Sequence, residues 1–442
     1  MENWKKYYDE HMMTQEGAVE LIESGDTLYV GNTCGVPHAV LDKLADRYEE
    51  LHDVTLISNM FCEPLKMLAD KKYRSAFRHI SYFPAAQERK AHSLGLLEYG
   101  SVPYGYVSDS ACNVYKTNVI MVETCEPDEN GMVNLGEFGS WMASDFINGK
   151  YINKVIAVVN KYQTAPAGGG KNIMFPVTKF NAFCRNDHPY VSLRESDPEE
   201  IDKTIANYIM DYVHDGDTIQ VGKGGLGCAI GYDLAGKKDI HIYSEILSDW
   251  IVPLAEKGII TDTVASGCFG TQPLYDYADT CETVSFICIN ELANPDAVAK
   301  LNDFVAINTC MMADLTGQSC SEGSGAWQYS CVGGQLEFVK GANRIRNSGR
   351  RGMGFLALRS TRTDKDGTVK SNIVAEFPPM SVVTCPRAEA MYFVTEFGVA
   401  DLWGKTVTDR VRAMIAIAHP DFREELKQKS ISSGLMHPED FE

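Results

Sequence analysis

Glu245 and the glycine run that precedes it are the residues of this chain best suited to chemistry. The run is Gly222-Lys-Gly-Gly-Leu-Gly227, and Glu245 lies 18 residues beyond its last glycine. Glycines between a strand and a helix let backbone N–H groups approach a ligand at the positive end of the helix. A glutamate with an ordinary pKa of ~4.3 is already a carboxylate at neutral pH, so it can act as a nucleophile without a general base. The same spacing fits a dinucleotide loop with an acid for the ribose hydroxyl. On these residues alone the nucleophile reading, the NAD-type oxidoreductase reading of Gly222–Gly227 and a purely structural tight turn all stand.

A second copy of the pattern separates scaffold from chemistry. Asp53-Val-Thr-Leu-Ile-Ser-Asn59 matches Asp239-Ile-His-Ile-Tyr-Ser-Glu245 in its apolar positions and in Ser58 against Ser244, but has Asn59 where the later copy has Glu245. Upstream, Gly25-Asp-Thr-Leu-Tyr-Val-Gly31 matches Gly216-Asp-Thr-Ile-Gln-Val-Gly222. In the early copy Asn32-Thr-Cys-Gly-Val-Pro37 replaces the glycine loop. Nothing in a dinucleotide site calls for such a degenerate twin. A duplicated enzyme with chemistry in one half does.

Each copy reads as helix, tight Gly-Asp turn, apolar strand, loop, helix, strand. Thr14 is the expected cap of the first helix, with Ala18, Leu21 and Ile22 inward. Asp197-Pro198 is the expected start of its counterpart, with Ile201, Ile205, Tyr208, Ile209 and Tyr212 on one face. The strands are continuous apolar runs, as in a parallel sheet buried on both faces. A repeat of about 190 residues is a domain duplication rather than a solenoid period. The expected fold is α/β: two related open α/β domains, residues 1–190 and 191–442, with the active site between them and the catalytic Glu in the second.

Composition narrows the class. The chain has 442 residues, 44% hydrophobic and 23% charged, enough for two sizeable cores. A net charge of −19 disfavours nucleic acid and anionic membrane as partners. The apolar runs are too short to span a bilayer, and Met-Glu-Asn-Trp-Lys-Lys lacks a signal-peptide core. The 13 cysteines include no CxxC pair, which argues against a zinc site and a disulfide framework and for the cytoplasm. From Phe338 to Thr363 there are seven basic residues and no acidic one, a positive island that could meet a phosphorylated ligand.

Further phrases extend the pattern: Leu315-Thr-Gly-Gln318, Gly333-Gly-Gln-Leu-Glu-Phe-Val-Lys-Gly-Ala342, Thr395-Glu-Phe-Gly-Val-Ala-Asp-Leu402 and Ile417-Ala-His-Pro-Asp-Phe-Arg423. With Ser244-Glu245 and Gln220-Val-Gly-Lys-Gly-Gly-Leu226, they make the chain resemble the family I CoA-transferases, in the acetyl-CoA hydrolase/transferase branch. That branch includes 4-hydroxybutyrate and butyryl-CoA:acetate CoA-transferases. The resemblance implies ping-pong exchange of CoA between a short-chain acyl-CoA and a carboxylate such as acetate, through a glutamyl-CoA thioester on Glu245. The near variant is an acyl-CoA hydrolase.

On this resemblance, CoA is a substrate carried covalently, with no tightly bound cofactor and no metal. Leu226 and Gly334 are the expected oxyanion donors. CoA would contact Gln220, Val221, Gly222, Lys223, Gly224, Gly225, Gly333, Gln335, Lys340, Gly341 and Lys370. The partners would be acyl-CoA and small carboxylic acids, and the assembly a homodimer or homotetramer. The chain departs from the family pattern at Lys223, Gly227 and Tyr243, all bordering the expected reacting centre.

Other residues read as structural. Cys228 has no histidine nearby in sequence and reads as a buried thiol. His241 shares the Glu245 face of its strand but is expected to pack. Gly168-Gly-Gly170 lacks P-loop spacing and is expected to be a mobile loop near the substrate entrance. Glu337, Glu396 and Asp401 are expected to be structural acids.

Overall fold

The computed structural model describes residues 4–139, 141 and 143–442, excepting the side chains of residues 143 and 144. The chain divides into two compact units. One comprises Met1–Arg194 with Glu245–Asp249 and Thr263–Leu292, and the other takes Glu195–Ser244, Trp250–Asp262 and Ala293–Glu442.

The first unit holds a seven-stranded parallel sheet. Its strands are Thr27–Asn32 (β1), Val54–Asn59 (β2), Phe77–Ser81 (β3), Glu98–Tyr99 (β4), Val119–Thr124 (β5), Lys154–Val159 (β6) and Ala182–Arg185 (β7). Their order is β4-β3-β2-β1-β5-β6-β7. Leu28, Val30, Leu56, Met121 and Val158 lie in its core with no exposed surface, the double burial that the unbroken apolar runs require.

A second large sheet repeats the arrangement. Its strands are Thr218–Val221 (β8), Ile240–Leu247 (β9), Ile260–Cys268 (β10), Val284–Phe286 (β11), Phe304–Thr309 (β12), Gly352–Ala357 (β13), Tyr392–Thr395 (β14) and Gly398–Asp401 (β15). The order is β11-β10-β9-β8-β12-β13-β14-β15, and only the added β15 is without a counterpart. It pairs antiparallel with β14, closing the edge. The second unit's own core is built around Leu315, Val339, Leu356, Phe393, Val411 and Met414.

The duplication extends to single hydrogen bonds. Thr27 registers with Thr55 across β1–β2, and Thr218 registers with His241 across β8–β9, the position matching Thr55 in the aligned phrases. Gly25 and Gly216 take φ of 86° and 83°, and Asp53 and Asp239 take φ of 57° and 54°. The turn aspartates are buried in both copies. Asp26 accepts the Glu23 N–H at 2.9 Å, and Asp217 accepts the His214 N–H at 2.7 Å. A cation from the start of the sixth-strand position meets each: Lys154 on Asp26 at 3.2 Å, and Arg351 on Asp217.

The flanking helices match too, with one correction. Gln15–Glu20 (α1) is capped by Thr14, whose hydroxyl accepts the Gly17 N–H at 3.1 Å. His38–Ala45 (α2) follows β1. The counterpart of α1, Glu200–Met210 (α3), starts after Glu199 rather than at Pro198. Its buried side is Asp202, Ile205, Ala206, Ile209 and Met210, so the face is rotated from the expected one and Tyr208 is exposed. Asp202 lies on this buried side, where it accepts the Glu199 N–H at 3.1 Å and binds Arg359. Among the described residues, no helix is long and apolar enough to cross a membrane.

Candidate active site

Strand β8 is buried along its length and ends at the glycine loop. The loop enters helix Gly225–Asp233 (α4), whose N-cap is Gly224 at φ 117°. Gly227 is fixed by a close approach: a Cβ there would stand 2.2 Å from the Gly222 carbonyl oxygen. The departure at Gly227 therefore lets this helix turn sit directly on its own loop.

The strand order reverses beside β8, the place where open α/β sheets bind ligands. At the carboxyl ends of β8, β12 and β13 there is a cavity of about 310 Å³, at the small end of ligand-sized cavities. Lys223, Gly224, Gly225 and Leu226 line it, with Thr309 at the end of β12 and Arg359 beyond β13. Arg359 holds both Asp202 oxygens at 3.0 and 2.9 Å and Glu199 at 3.0 Å.

The other expected contacts divide between this corner and elsewhere. Gln220 is buried and exchanges amide hydrogen bonds with Asn308 on β12 (3.3 and 2.8 Å), which locks the two strand ends. Gly222 donates its N–H to Ile307 at 2.8 Å. The Val221 carbonyl accepts the Ser244 hydroxyl at 3.0 Å. Gln335 opens helix Gln335–Asn347 and donates to the Thr309 carbonyl at 2.7 Å, bracing the cavity wall. Gly333 and Gly334 precede that helix, and Lys340 is on it. Gly341 is buried where a Cβ would come 2.3 Å from Val298, a helix-packing position.

Lys370 lines a different cavity of about 1010 Å³ with Arg362, Phe377 and Phe422, and its ammonium lies 2.6 Å from Asp364.

Glu245 is the sixth residue of β9 and is half-buried. It follows directly on Ser244, so the hydroxyl bond to Val221 fixes the backbone on which the carboxylate is mounted. The neighbouring positions are structural: Tyr243 is buried, and His241 pairs with Asp262.

Several features escaped the sequence reading. Glu195 accepts the Gly224 N–H and the Cys228 thiol, both at 3.1 Å, so a carboxylate of the chain occupies the head of the glycine-loop helix. With Gly222 and Gly224 N–H groups both engaged, the loop is poorly arranged for a pyrophosphate, against the dinucleotide reading. The basic island is largely committed to structure. Arg344 pairs with Asp296, Arg346 reaches the Tyr392 hydroxyl at 3.0 Å, Arg351 binds Asp217, and Arg359 binds Asp202.

Gly168–Gly170 is also corrected. Gly170 bridges to Phe286, the Gly169 carbonyl accepts the Phe286 N–H at 3.1 Å, and a Cβ on Gly168 would lie 1.9 Å from the Val284 carbonyl oxygen. The glycines let this segment lie against the edge strand β11. Glu396 is structural as expected, taking the Ser360 N–H at 2.9 Å and its hydroxyl at 2.5 Å.

Residues 1–225 match the acetyl-CoA hydrolase/transferase N-terminal domain, and residues 270–430 match the C-terminal domain of the same family. A butyryl-CoA:acetate CoA-transferase of Anaerostipes caccae is 31% identical over 96% of both chains. A 4-hydroxybutyrate coenzyme A transferase of Clostridium kluyveri is 30% identical over 96% of this chain and 98% of that one. The solved structure of RipA from Yersinia pestis superposes with a TM-score of 0.86 at 26% identity, covering 98% of this chain and 100% of that one. A 4-hydroxybutyrate CoA-transferase structure from Porphyromonas gingivalis gives 0.75 at 25% identity, covering 97% and 100%. This two-sheet protein, with its glycine loop at the switch point and Glu245 on the adjacent strand, belongs to the acetyl-CoA hydrolase/transferase family. It is an enzyme of that family.

Proposed function

We propose that the chain exchanges CoA between a short-chain acyl-CoA and a free carboxylate such as acetate, with Glu245 carrying CoA in the interval. The observation that carries this reading is the pairing of two matched sheets with a carboxylate at the sixth position of the strand beside the first in only one of them. The relatives named for butyryl-CoA:acetate and 4-hydroxybutyrate transfer support the substrate class.

In this reading the Glu245 carboxylate attacks the thioester carbonyl. The C–S bond breaks, leaving an acyl-glutamyl anhydride and CoA thiolate. The thiolate then attacks the glutamyl carbonyl, forming the glutamyl-CoA thioester and releasing the first acid as its carboxylate. An incoming carboxylate reverses the two steps, so no net proton or electron is consumed.

Glutamate is a weak nucleophile, and orientation by bound CoA supplies the missing rate; well-placed intramolecular reactions recover roughly 7–11 kcal/mol. Backbone N–H groups of Leu226 and Gly334 stabilise the oxyanion, each worth about 3–4 kcal/mol on removal. Leu226 lies in the first turn of α4, where N–H groups lack intrahelical acceptors. Pantetheine runs along Val221–Gly225 and the Gly333–Gln335 segment, with Lys223 and Lys340 as further CoA contacts; Gly341, packed on Val298, and Lys370, in the other cavity, are not among them. The working form is a homodimer or homotetramer.

Butyryl-CoA with acetate, varied together, should give parallel double-reciprocal lines and acetyl-CoA as product. Intersecting lines would reject the covalent route. A second reading, acyl-CoA hydrolysis, is favoured by family members named acetyl-CoA hydrolase. It predicts steady thiol release from acetyl-CoA in the absence of any acceptor acid, at a rate matching transfer.

A further inference from the structure

The first unit contains a thiol pair for which neither the fold nor the proposed reaction has a use. Asn32 and Asn59 are direct register partners at the ends of β1 and β2. The next residue in each strand, Thr33 and Met60, adopts left-handed backbone (φ 46° and 51°). Neither residue type favours that region, and such strain concentrates at functional positions. The two strand ends turn together, and the Cys34 and Cys62 side chains meet in a hydrogen bond.

Their surroundings differ in ways that suit oxidation. Cys62 is half-buried and also donates to the Met60 carbonyl at 3.8 Å. Cys34 is 2% exposed. Its sulfur lies 3.8 Å from the Tyr275 hydroxyl and 3.6 Å from the Val191 carbonyl. Hydrogen bonding with Cys62, and after it with Tyr275 and Val191, holds the Cys34 thiol below its ordinary range despite burial. Burial pushes Cys125, Cys184, Cys310 and Cys385 upward instead, which makes them poor nucleophiles.

We propose that Cys34 and Cys62 form a peroxide-responsive dithiol whose closure to a disulfide reversibly slows the enzyme. The accessible Cys62 sulfur attacks hydrogen peroxide; the O–O bond breaks, giving a sulfenic acid and one water. Cys34 then attacks the Cys62 sulfur, the S–O bond breaks, and a second water leaves as the S–S bond forms. Two thiols lose two electrons and two protons, and one peroxide becomes two waters. A thiol reductant reverses the change by exchange.

The slowing rests on the assignment of Glu245 as the reacting group, whereas the disulfide itself does not. Tyr275 belongs to helix Gln272–Thr280 and accepts the Gly270 N–H at 3.3 Å while donating to Val191 at 3.0 Å. Phe269, one residue earlier, donates its N–H to Leu247 at 3.0 Å, and Leu247 is two residues after Glu245 on β9. Drawing Cys34 onto Cys62 takes away one of the contacts on the Tyr275 hydroxyl, and the displacement is passed to the segment of β9 that bears the carboxylate.

The test treats the full chain with hydrogen peroxide, alkylates free thiols, digests it and maps cysteine peptides by mass spectrometry. A Cys34–Cys62 linked pair, two hydrogens lighter than the thiols, is expected, with transfer reduced at least several-fold and restored by dithiothreitol. Cys62→Ser should keep basal activity and resist peroxide. Recovery of both cysteines as separate alkylated peptides, or linkage to the partly exposed Cys281 instead, would overturn the disulfide. A linked pair with unchanged transfer, or equal peroxide sensitivity in Cys62→Ser, would overturn the regulation. The map on the unaltered protein decides the first point even where the variant folds poorly.

Discussion

Asn59 and Glu245 are both the sixth residue of strands of the same rank in two sheets of the same order, each one residue beyond a serine; Asn59 ends its strand, whereas β9 runs on to Leu247. The register leading to them is shared, Thr27 with Thr55 in one sheet and Thr218 with His241 in the other. The serines have diverged as well. Ser58 pairs with the buried His79 at 3.0 Å, while Ser244 donates to Val221 immediately before the glycine loop. One copy has turned this serine into packing, and the other ties it to the last residue of β8.

The carboxylate is the reacting group, so Glu245→Gln should lower transfer about a thousandfold or more. The folded state should hold, because the amide is isosteric and the position is half-buried. Matching thermal unfolding beside the rate assay separates the two effects. A variant with a tenth of the normal rate would contradict the nucleophile assignment.

Gly227→Ala tests the contact of helix on loop. The added Cβ has only 2.2 Å to the Gly222 carbonyl oxygen, so the loop must shift. Overpacking of this kind costs about 1–3 kcal/mol. Urea unfolding should show that loss, and KM for the acyl-CoA should rise because Gly222–Leu226 moves.

The matched turn aspartates should be equally needed in both copies. Asp217 is almost wholly buried against Arg351, and Asp26 against Lys154. Removing one partner of a buried pair costs about 3–5 kcal/mol. Asp217→Ala and Asp26→Ala should each destabilise the chain by that order in denaturant titrations, without a selective change in KM.

A pH dependence follows from His188 and Glu123. The His188 Nε2 lies 2.6 Å from the fully buried Glu123, and this hydrogen bond raises the imidazolium pKa to about 9. Burial alone pushes the Glu123 carboxyl upward, with His188, Asn160 and Asn186 acting against it. A raised histidine contributes stability that is complete below its unfolded pKa of about 6.5 and is lost as pH rises through the folded value. Unfolding free energy should therefore fall between pH 6.5 and 9, and His188→Gln should flatten that slope. An unchanged slope would remove this pair as its cause.

The duplication, the two parallel sheets and the glycine loop were legible because they rest on local pattern: apolar runs, Gly-Asp turns and a matched phrase. Glu245 stood out because its twin is Asn59. Other features depend on pairings that no local pattern displays. Glu195 caps Gly224 from 29 residues away, Glu123 meets His188 across 65, and Cys34 meets Cys62 across two strand ends. The start of α3 was misplaced because proline marks a helix opening only on average. Here Glu199 and Asp202 form the cap, and Asp202 shares the buried face with Ile205, Ala206, Ile209 and Met210. The seven basic residues looked like a ligand surface because their acidic partners, such as Asp202, Asp217 and Asp296, lie far away in sequence.

The central claim is that Glu245 holds CoA as a thioester. The protein would be incubated with butyryl-CoA alone, reduced with borohydride or treated with hydroxylamine, digested and sequenced by mass spectrometry. A glutamate converted to its alcohol or hydroxamate at position 245, absent without acyl-CoA, is the predicted result. An unmodified Glu245 peptide from protein that still transfers CoA would contradict it.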